Sequence, residues 1–582
     1  MKIHSWHFPV LLVLGTLTVY YPTLFAPFNS LDDKMLVQHL INVEDFSLTK
    51  HFLPGGRGDY YRPLVTLSFA LDKYLWGLEE SFMHLENILI HTFNVLLVFL
   101  LARSLSRILL LPSEWLPFVA AAVFAIHPLN TEAVNWITVR TDLLAATAVF
   151  LSLLCLFRLH ETGRSFWAYL GAISMGIGCL CKEPALFFLP GAILLIWSTR
   201  LSGKIQFRSL PWPVILRSSA AYIFVVIAYF GLRWIAFHSD RGIESTARVA
   251  TEGMKSVSMG QDAFALGPLL FVLCKAIGFY FKKFFMPLPL NFGIVRVSDI
   301  YFYVGVITIV IMLWMLWHRR LLSLLGLASM FLASSALLVV INPMAWTPVA
   351  ERYMYIASGP FVLTVIFSLA IVTRKLSLEK VVPLFVVLLL SSAAYATVSR
   401  NLVWQDNLKL YEDTVTKSPE NVSAKNELAL ALLAKGRDDE ARAILEQIRA
   451  PQNQPTSLNR VTVFLVREEY REARGFLLER LESPGPYEAK ILEYLIVVDT
   501  KIVEQSLTDE EKNLSYHAMI GWLKRLQEIN DRPFHWYRLG RIYMRLGEMK
   551  NAKQSFAKAA KLLPDGSPFK EPAAKLSRTL SE

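Results

Sequence analysis

Long apolar runs separated by short polar connections occupy about the first 400 residues of this chain. A helix needs about 20 apolar residues to cross the roughly 30 Å hydrocarbon core of a bilayer, and most of these runs approach that length. The pattern therefore predicts an all-α fold, namely a polytopic transmembrane helix bundle. The candidate spans lie at about 8–27, 83–102, 115–131, 141–158, 166–181, 184–199, 217–237, 301–317, 321–341, 353–373 and 381–399.

A further apolar stretch at about 264–287 carries Lys275, Lys282 and Lys283. Lysine and arginine collect in cytoplasmic loops, and counting this stretch as a span would place His318-Arg319-Arg320 on the opposite side. An amphipathic helix lying in the interface keeps those charges in the cytoplasm. We therefore expect about eleven spans, a cytoplasmic N-terminus, and large non-cytoplasmic segments at about 28–82, 238–300 and 401–582.

The pattern changes after about residue 400, where charged residues become dense. Residues 532–565 match the offsets of a tetratricopeptide repeat, and a second copy fits 422–455. The matching residues of the first copy are Trp536, Leu539, Gly540, Tyr543, Gly547, Ala552, Phe556, Ala559 and Pro564. One repeat cannot bury its own face, so we expect three or four stacked repeats, an α-solenoid over 401–582. It would serve either as a spacer for the membrane domain of residues 1–400 or as a groove for a partner protein.

Composition supports the membrane interpretation, since 54% of the 582 residues are hydrophobic and only 18% are charged. The net charge of +11 fits the basic residues of cytoplasmic loops. Those residues are not clustered with aromatic side chains, so we expect no nucleic-acid partner. The four cysteines all lie in apolar segments, which argues against a disulfide framework.

Two adjacent acidic residues, Asp32 and Asp33, follow the first span directly. Neighbouring carboxylates repel, which raises the pKa of one of them, and the pair could act as a catalytic base with its polar support. The alternative is a helix N-cap, with Ser30 or Asp32 preceding the helical run from Met35.

Other ionisable and polar residues gather at the ends of predicted spans on the non-cytoplasmic face. They are Tyr61, Arg62, His127, Glu132, Arg140, Asp142, Lys182, Glu183, Glu351, Arg352 and Tyr353. Arg140, Lys182 and Arg352 could together hold a phosphate at the lipid–water boundary, and Arg62 could assist them. The alternative is that Lys182–Glu183 and Glu351–Arg352 are local ion pairs or interfacial anchors.

His84 and His91 lie on one face of the second span together with Asn87. Hydrogen bonds between helices explain such residues better than a metal site, because no third ligand is evident. We therefore expect no metal ion. The chain also lacks a Gly-rich phosphate loop, a Gly-x-Ser-x-Gly motif and a His-Glu-x-x-His motif, so a nucleotide-driven pump or a serine hydrolase has no support.

The order of these residues resembles the GT-C superfamily of membrane glycosyltransferases. It is most similar to the O-mannosyltransferases that combine transmembrane helices with tetratricopeptide repeats, and to their bacterial relatives. The matching pieces are Asp32-Asp33, Tyr61-Arg62-Pro63-Leu64, His84 to His91, His127-Pro128, Thr131-Glu132-Ala133-Val134 to Arg140, Lys182-Glu183, Glu351-Arg352-Tyr353-Met354-Tyr355 and the trailing repeats.

The resemblance implies a hexosyltransferase that moves a sugar from a polyprenyl- or dolichyl-phosphate donor to a hydroxyl of a protein, glycan or lipid. It implies that Asp32 or Asp33, with Asp32 preferred, is the catalytic base, and that no separate cofactor is needed. The short repeat array favours a bacterial inner membrane with the repeats in the periplasm. In a eukaryote, the corresponding location is the membrane of the endoplasmic reticulum, with the repeats in the lumen. The alternative function is a non-enzymatic membrane scaffold that recruits partners through the repeats.

Overall fold

The structure is a computed structural model that divides into two compact units, Met1–Asn421 and Val422–Glu582. The described residues are 6–41, 48–53, 60–111, 113–201, 210–237, 266–318, 320–335, 349–378, 380–447, 461, 464–465, 468–482, 484, 488–505, 508–529, 533–563 and 569–580. Within them the regular secondary structure consists of helices, apart from an isolated antiparallel bridge between Ile294 and Val349. The predicted all-α fold is therefore confirmed.

The first unit is a bundle of α-helices of very unequal length. In chain order they are α1 His7–Tyr20, α2 Asp33–Ile41, α3 Leu48–Phe52, α4 Pro63–Trp76, α5 Glu80–Ile108, α6 Trp115–Ala125, α7 Thr131–Asn135, α8 Arg140–Thr162, α9 Ser165–Cys181, α10 Phe188–Leu201, α11 Trp212–Phe237, α12 Leu266–Phe285, α13 Ile300–His318, α14 Arg320–Ser334, α15 Tyr355–Lys375, α16 Val382–Trp404 and α17 Asn407–Lys417. Short 3₁₀ turns at Tyr21–Phe25, Pro128–Asn130, Ile137–Val139, Glu183–Phe187 and Glu351–Met354 connect several of them.

The length and composition of these helices make the chain a multi-pass membrane protein. Among the described residues, seven helices are long and apolar enough to cross a bilayer. Four shorter apolar helices, Trp115–Ala125, Ser165–Cys181, Glu183–Ser198 and Leu321–Ser334, coincide with the four remaining predicted spans. The lysine-bearing α12 does not belong to either group, and whether it lies in the interface stays a prediction.

Helix α5 and helix α8 form the centre of the first unit, because most of each helix is buried. Helix α15 packs against both of them. At the periphery, α12 and α13 approach each other closely through two glycines. A Cβ atom on Gly305 would overlap the carbonyl oxygen of Cys274, and one on Gly278 would overlap that of Tyr301. Only glycine permits this backbone contact.

The second unit consists of paired helices. They are α18 Val422–Ala434, α19 Asp438–Glu446, α20 Tyr470–Leu481, α21 Glu488–Gln505, α22 Asp509–Ile529, α23 Pro533–Arg545, α24 Met549–Leu562 and α25 Lys570–Thr579. Gly436 and Gly547 each end the first helix of a pair with a positive φ, of 72° and 78° respectively. The ring of Phe556 packs on Gly540, as the repeat pattern predicts, while Pro564 lies outside the described residues.

The predicted boundary near residue 400 falls within helix α16. The first unit continues beyond it to Asn421 and includes α17. Of the large predicted segments, residues 238–265 and the stretches 42–47 and 54–59 lie outside the described residues.

We expect Gly305→Ala to lower the free energy of unfolding by about 1–3 kcal/mol, because the added methyl group forces α12 and α13 apart. Thermal unfolding of the detergent-solubilised protein measures this. The control is Gly231→Ala, since Gly231 lies in α11 and a Cβ atom there would meet no atom within 4 Å. Equal stability of the two variants would contradict the packing described for α12 and α13.

Candidate functional site

Two short 3₁₀ turns, each directly before an apolar helix, bring distant polar side chains together in the first unit. The turn Glu183–Phe187 precedes α10, and the turn Glu351–Met354 precedes α15. Both turns contact helix α14, and the turn Glu183–Phe187 also contacts α8. Helices that are far apart in sequence therefore meet at these turns.

Lys182 and Arg62 each pair with an acidic residue of another element. The ammonium group of Lys182 binds the Oδ2 atom of Asp142 at the start of α8. The guanidinium group of Arg62 donates from Nε and Nη2 to Oε2 of Glu183, at 2.9 and 2.6 Å. Burial lowers the pKa of Lys182 from its ordinary value, while the charge of Asp142 opposes that shift.

Arg352 pairs with Glu132, which lies in α7. The Nη1 atom of Arg352 binds Oε1 of Glu132, and its backbone N–H donates to Oε2 at 3.0 Å. Its guanidinium carbon lies 4.9 Å from the ring centre of Trp136 and 4.8 Å from that of Tyr353. The bidentate contact with Glu132 and the two aromatic rings fix the orientation of this cation.

The ion pairs contradict the alternative of local pairing within Lys182–Glu183 and Glu351–Arg352. Glu351 accepts a hydrogen bond of 2.7 Å from Lys283 of α12 and one of 3.0 Å from the backbone N–H of Asn291. Each charge of these two dipeptides thus binds a distant element. The local-pair interpretation is wrong because each of these four side chains has its partner on a different element: Asp142, Arg62, Lys283 and Glu132 respectively.

Arg62, Lys182 and Arg352 form one group, which we call the cation cluster. Two of its members share the Tyr353 ring: Lys182 Nζ lies 5.8 Å and the Arg352 guanidinium carbon 4.8 Å from the ring centre. Asp142 is close enough to interact electrostatically with both Arg62 and Arg352. The side chains of Arg62, Lys182 and Arg352 keep 23%, 10% and 10% of their surface exposed, so Arg62 is half-buried while Lys182 and Arg352 are buried except for a small part of the side chain.

Asp33 is buried, and both of its carboxylate oxygens accept hydrogen bonds from backbone N–H groups. Its Oδ2 atom accepts a hydrogen bond of 2.9 Å from the backbone N–H of Asn29, and its Oδ1 atom accepts one of 3.0 Å from that of Thr138. Burial raises the pKa of Asp33 to about 7, although the two N–H donors lower it. These bonds connect the loop after α1 to the segment before α8. Because only 1% of the surface of Asp33 is exposed, a substrate cannot contact it.

Asp32 differs from its neighbour because its side chain is exposed. Surrounding protein atoms still desolvate the carboxyl group enough to raise its pKa, while the positive charge of Arg352 lowers it. The structure thus sets one exposed acidic residue within electrostatic range of one member of the cation cluster. Of the two acids predicted as a base, only Asp32 is exposed, and a base must reach the proton it removes.

Arg140 lies apart from the cation cluster. Its guanidinium group donates to both oxygens of Asp72, at 2.9 and 2.8 Å, and to Oδ1 of Asn87 at 3.0 Å. It also pairs with Glu86 at 2.9 Å, and only 1% of its side chain is exposed. Two carboxylates already neutralise this buried charge, so the geometry favours a structural role over phosphate binding.

The remaining predicted residues lie in the packed interior of the first unit. His91 bonds to the Tyr355 hydroxyl group at 2.7 Å and to the carbonyl oxygen of Ala125 at 3.0 Å. His127 bonds to the carbonyl oxygen of Phe284 at 2.9 Å. Tyr61 and His84 are also buried. The hydrogen bonding between elements predicted for this face of the second span agrees with the contacts of His91 and with those of Asn87, which bonds to the carbonyl oxygen of Trp136 and to Arg140.

The sequence did not indicate that Asp72 and Lys283 are partners of the candidate site residues, although they pair with Arg140 and Glu351 respectively. A signal was present for Asp72, because a lone acid within the apolar stretch from Leu64 to Trp76 needs a partner if it is buried. Nothing in the local sequence linked Lys283 to Glu351, because they are 68 positions apart.

Comparison with protein families confirms the repeats of the second half. A family model of the tetratricopeptide repeat matches residues 405–477, and another tetratricopeptide-repeat model matches residues 536–565. The predicted copies at 422–455 and 532–565 fall within or overlap these matches.

Comparison with known proteins finds relatives that are protein O-mannosyl-transferases. Protein O-mannosyl-transferase Tmtc1 of Drosophila melanogaster is 36% identical over 133 residues, which are 23% of this chain and 15% of that protein. Protein O-mannosyl-transferase TMTC2 of Homo sapiens is 33% identical over 174 residues, 29% of this chain and 20% of that protein. The chain is a relative of these protein O-mannosyl-transferases.

A third relative matches over a longer stretch. Protein O-mannosyl-transferase F38B6.6 of Caenorhabditis elegans is 23% identical over 401 residues, which are 64% of this chain and 51% of that protein. The chain thus spans about half or less of the length of each of these O-mannosyl-transferases. The resemblance predicted from the order of the motifs is confirmed.

We expect Arg140→Met to lower the free energy of unfolding by about 3–5 kcal/mol, because it leaves the carboxylate of Asp72 buried without a counter-charge. The double variant Arg140→Met/Asp72→Leu should recover most of that loss. Thermal unfolding in detergent measures both. If Arg140→Met instead left stability unchanged and weakened donor binding, Arg140 would be a phosphate ligand after all.

Proposed function

We propose that this chain is a GT-C-type membrane glycosyltransferase that transfers a sugar from a polyprenyl- or dolichyl-phosphate donor to a hydroxyl acceptor. The observation that carries the proposal is the exposed residue Asp32 within electrostatic range of Arg352 of the cation cluster. The names of the O-mannosyl-transferase relatives support the same reaction class.

The reaction requires a base on one side of the sugar and positive charge on the other. Asp32 accepts the proton of the acceptor hydroxyl group as that oxygen bonds to the anomeric carbon. The bond between this carbon and the donor phosphate oxygen breaks, and the lipid phosphate leaves with the electron pair. The phosphate charge then grows from about one to about two, so cations that bind it stabilise the transition state more than the ground state.

The cation cluster is suited to this task because its members are held in place before the donor binds. Glu132, Asp142 and Glu183 fix Arg352, Lys182 and Arg62 in position while these side chains remain partly exposed. Charges that need no reorientation during the reaction are the most effective for catalysis. Side-chain cations fill the role of a divalent metal in this mechanism, so the proposal needs no metal cofactor.

A lipid-linked donor accounts for the position of these residues at the ends of apolar helices. The lipid reaches such a site from the bilayer, and a polar acceptor reaches it from water. The distribution of basic residues supports placing Asp32, the cation cluster and the repeats on the non-cytoplasmic side. That side is the periplasm of a bacterium or the lumen of the endoplasmic reticulum in a eukaryote.

The acceptor and the sugar are the finer parts of the proposal. The relatives are protein O-mannosyl-transferases, which favours mannose as the sugar and a protein hydroxyl group as the acceptor. Tetratricopeptide repeats form extended surfaces suited to peptide binding, so we propose that the second unit meets the acceptor protein.

The repeats also support a second candidate, a membrane scaffold without catalytic activity. The Asp32→Asn variant separates the two functions, because it changes no residue of the repeats. Expression of this variant in cells that lack the chain would restore the phenotype of a scaffold, but would not restore the glycosylation made by a transferase. Mass spectrometry of surface and membrane glycoproteins measures the second outcome.

We expect Asp32→Asn to reduce sugar transfer by at least about a hundredfold while leaving thermal stability unchanged, because the exposed carboxylate serves catalysis. Asp33→Asn is the contrast. Its amide can accept only one of the two backbone N–H bonds, so it should lower the free energy of unfolding by about 1–3 kcal/mol. Transfer from dolichyl phosphate mannose in membranes and thermal unfolding measure the two effects. Full activity of Asp32→Asn would refute its assignment as the base.

We expect the acidic limb of the kcat/KM profile to move to higher pH in Arg352→Gln. The base works when deprotonated, and Arg352 lowers the pKa of Asp32. Loss of that charge raises this pKa, so a higher pH is needed for the same deprotonated fraction. The control is Arg62→Gln, which removes a cation paired with Glu183; it should raise the donor KM without moving the limb. A limb that stays in place in Arg352→Gln would contradict the coupling.

A further inference from the structure

Helix α17, Asn407–Lys417, lies within the stretch of sequence that the tetratricopeptide-repeat model matches, but it belongs to the first unit of the structure. One of its residues, Tyr411, contacts the loop that carries Asp32. The reaction proposed above assigns no role to Tyr411.

The Tyr411 hydroxyl group binds two consecutive residues just before Asp32. It accepts a hydrogen bond of 3.0 Å from the Ser30 hydroxyl group and donates one of 3.0 Å to Oδ1 of Asn29. The same Asn29 oxygen accepts the backbone N–H of Leu31 at 3.0 Å. Tyr411 is fully buried and Asn29 nearly so, so water does not readily replace these bonds.

Helix α17 is itself firmly attached to the first unit at both ends. Near its start, Asn407 donates to the carbonyl oxygen of Phe28 at 3.0 Å. In its second half, Asp413 pairs with Arg400 of α16 at 2.6 Å, and Lys417 donates to the carbonyl oxygen of Leu290 at 2.7 Å. Tyr411 is thus a fixed reference point for the loop that it holds.

The aromatic ring of Tyr411 connects to the other half of the proposed site. It packs against Phe292 with 6.2 Å between ring centres, and Phe292 packs against Trp136 with 5.1 Å between centres. Arg352 lies over the ring of Trp136. A single tyrosine therefore reaches the Asp32 loop through its hydroxyl group and the support of Arg352 through its ring.

We propose that Tyr411 is a positioning residue that holds the Asp32 loop at its working distance from Arg352. This inference rests on the proposed transferase function. Tyr411 touches neither the donor nor the reacting atoms, and acts only through Asn29 and Ser30. Loss of its hydroxyl group removes the bonds to Asn29 and Ser30 and loosens this part of the loop, while the aromatic packing beneath Arg352 remains and Asp33 still holds its backbone contacts.

The test is Tyr411→Phe in the full chain, which removes the hydroxyl group and keeps the ring. The matched control is Tyr222→Phe, because Tyr222 is also fully buried and its hydroxyl group also bonds to a serine, Ser152 at 2.8 Å. We expect Tyr411→Phe to lower kcat about tenfold or more, counted per site that binds dolichyl phosphate mannose, with the donor KM within about twofold. The control should change neither value.

Hydrogen exchange of the backbone tests the same inference without activity. In Tyr411→Phe, the segment from Asn29 to Asp33 should exchange about fivefold faster than in the wild type, and in Tyr222→Phe it should not. Where Tyr411→Phe reduces the folded yield, Ser30→Ala gives the same test, with about a threefold loss of kcat expected, because the bond from Tyr411 to Asn29 remains.

Unchanged exchange of this segment together with unchanged kcat per site would overturn the role of Tyr411. A decrease of kcat caused only by a lower number of donor-binding sites would overturn it too, because that is loss of folded protein. The proposed function fails in a different experiment: if Asp32→Asn keeps full transfer activity, the base assignment is wrong whatever Tyr411→Phe does.

Discussion

The pairing of buried charges between different elements is the constraint on which the first unit depends. A charge removed from water is costly unless an opposite charge and hydrogen bonds compensate it. Here the partners lie far apart in sequence, as in Arg140 with Asp72 and Arg352 with Glu132. Each pair is satisfied only when its two segments meet. The ion pairs therefore favour one arrangement of apolar helices, whose contacts in lipid would otherwise specify it weakly.

The same pairs divide the charged residues into structural and reactive groups. Arg140 is paired with the carboxylates of both Asp72 and Glu86, so its charge stabilises the fold and is not available to a ligand. Where a cation keeps part of its surface, as Arg352 does, it can bind a ligand without being reoriented. The adjacent acids Asp32 and Asp33 show the same division, since backbone donors occupy both oxygens of Asp33 while the side chain of Asp32 is exposed.

Much of the fold was predictable because membrane helices and tetratricopeptide repeats leave local signals. An apolar run of about 20 residues has few alternatives to a helix in a bilayer. The repeat offsets of Gly540 and Phe556 report a contact between two helices that follow each other directly in the chain. The ion pairs were not predictable in this way. Adjacent charges suggested local pairs at Lys182–Glu183 and Glu351–Arg352, but Lys182 pairs with Asp142 and Glu351 with Lys283, residues that are distant in sequence.

The class of the protein, the positions of most helices, the repeats and the set of candidate site residues could be predicted from the amino-acid sequence. These properties follow from side-chain hydrophobicity and from contacts close in sequence. The folded arrangement was needed to show that Arg62, Lys182 and Arg352 form one cluster, that Arg140 pairs elsewhere, and that Tyr411 bonds to the loop before Asp32. These features depend on which distant segments come into contact. Tyr411 and Asn29 are about 380 positions apart, and neither local sequence indicates that they meet.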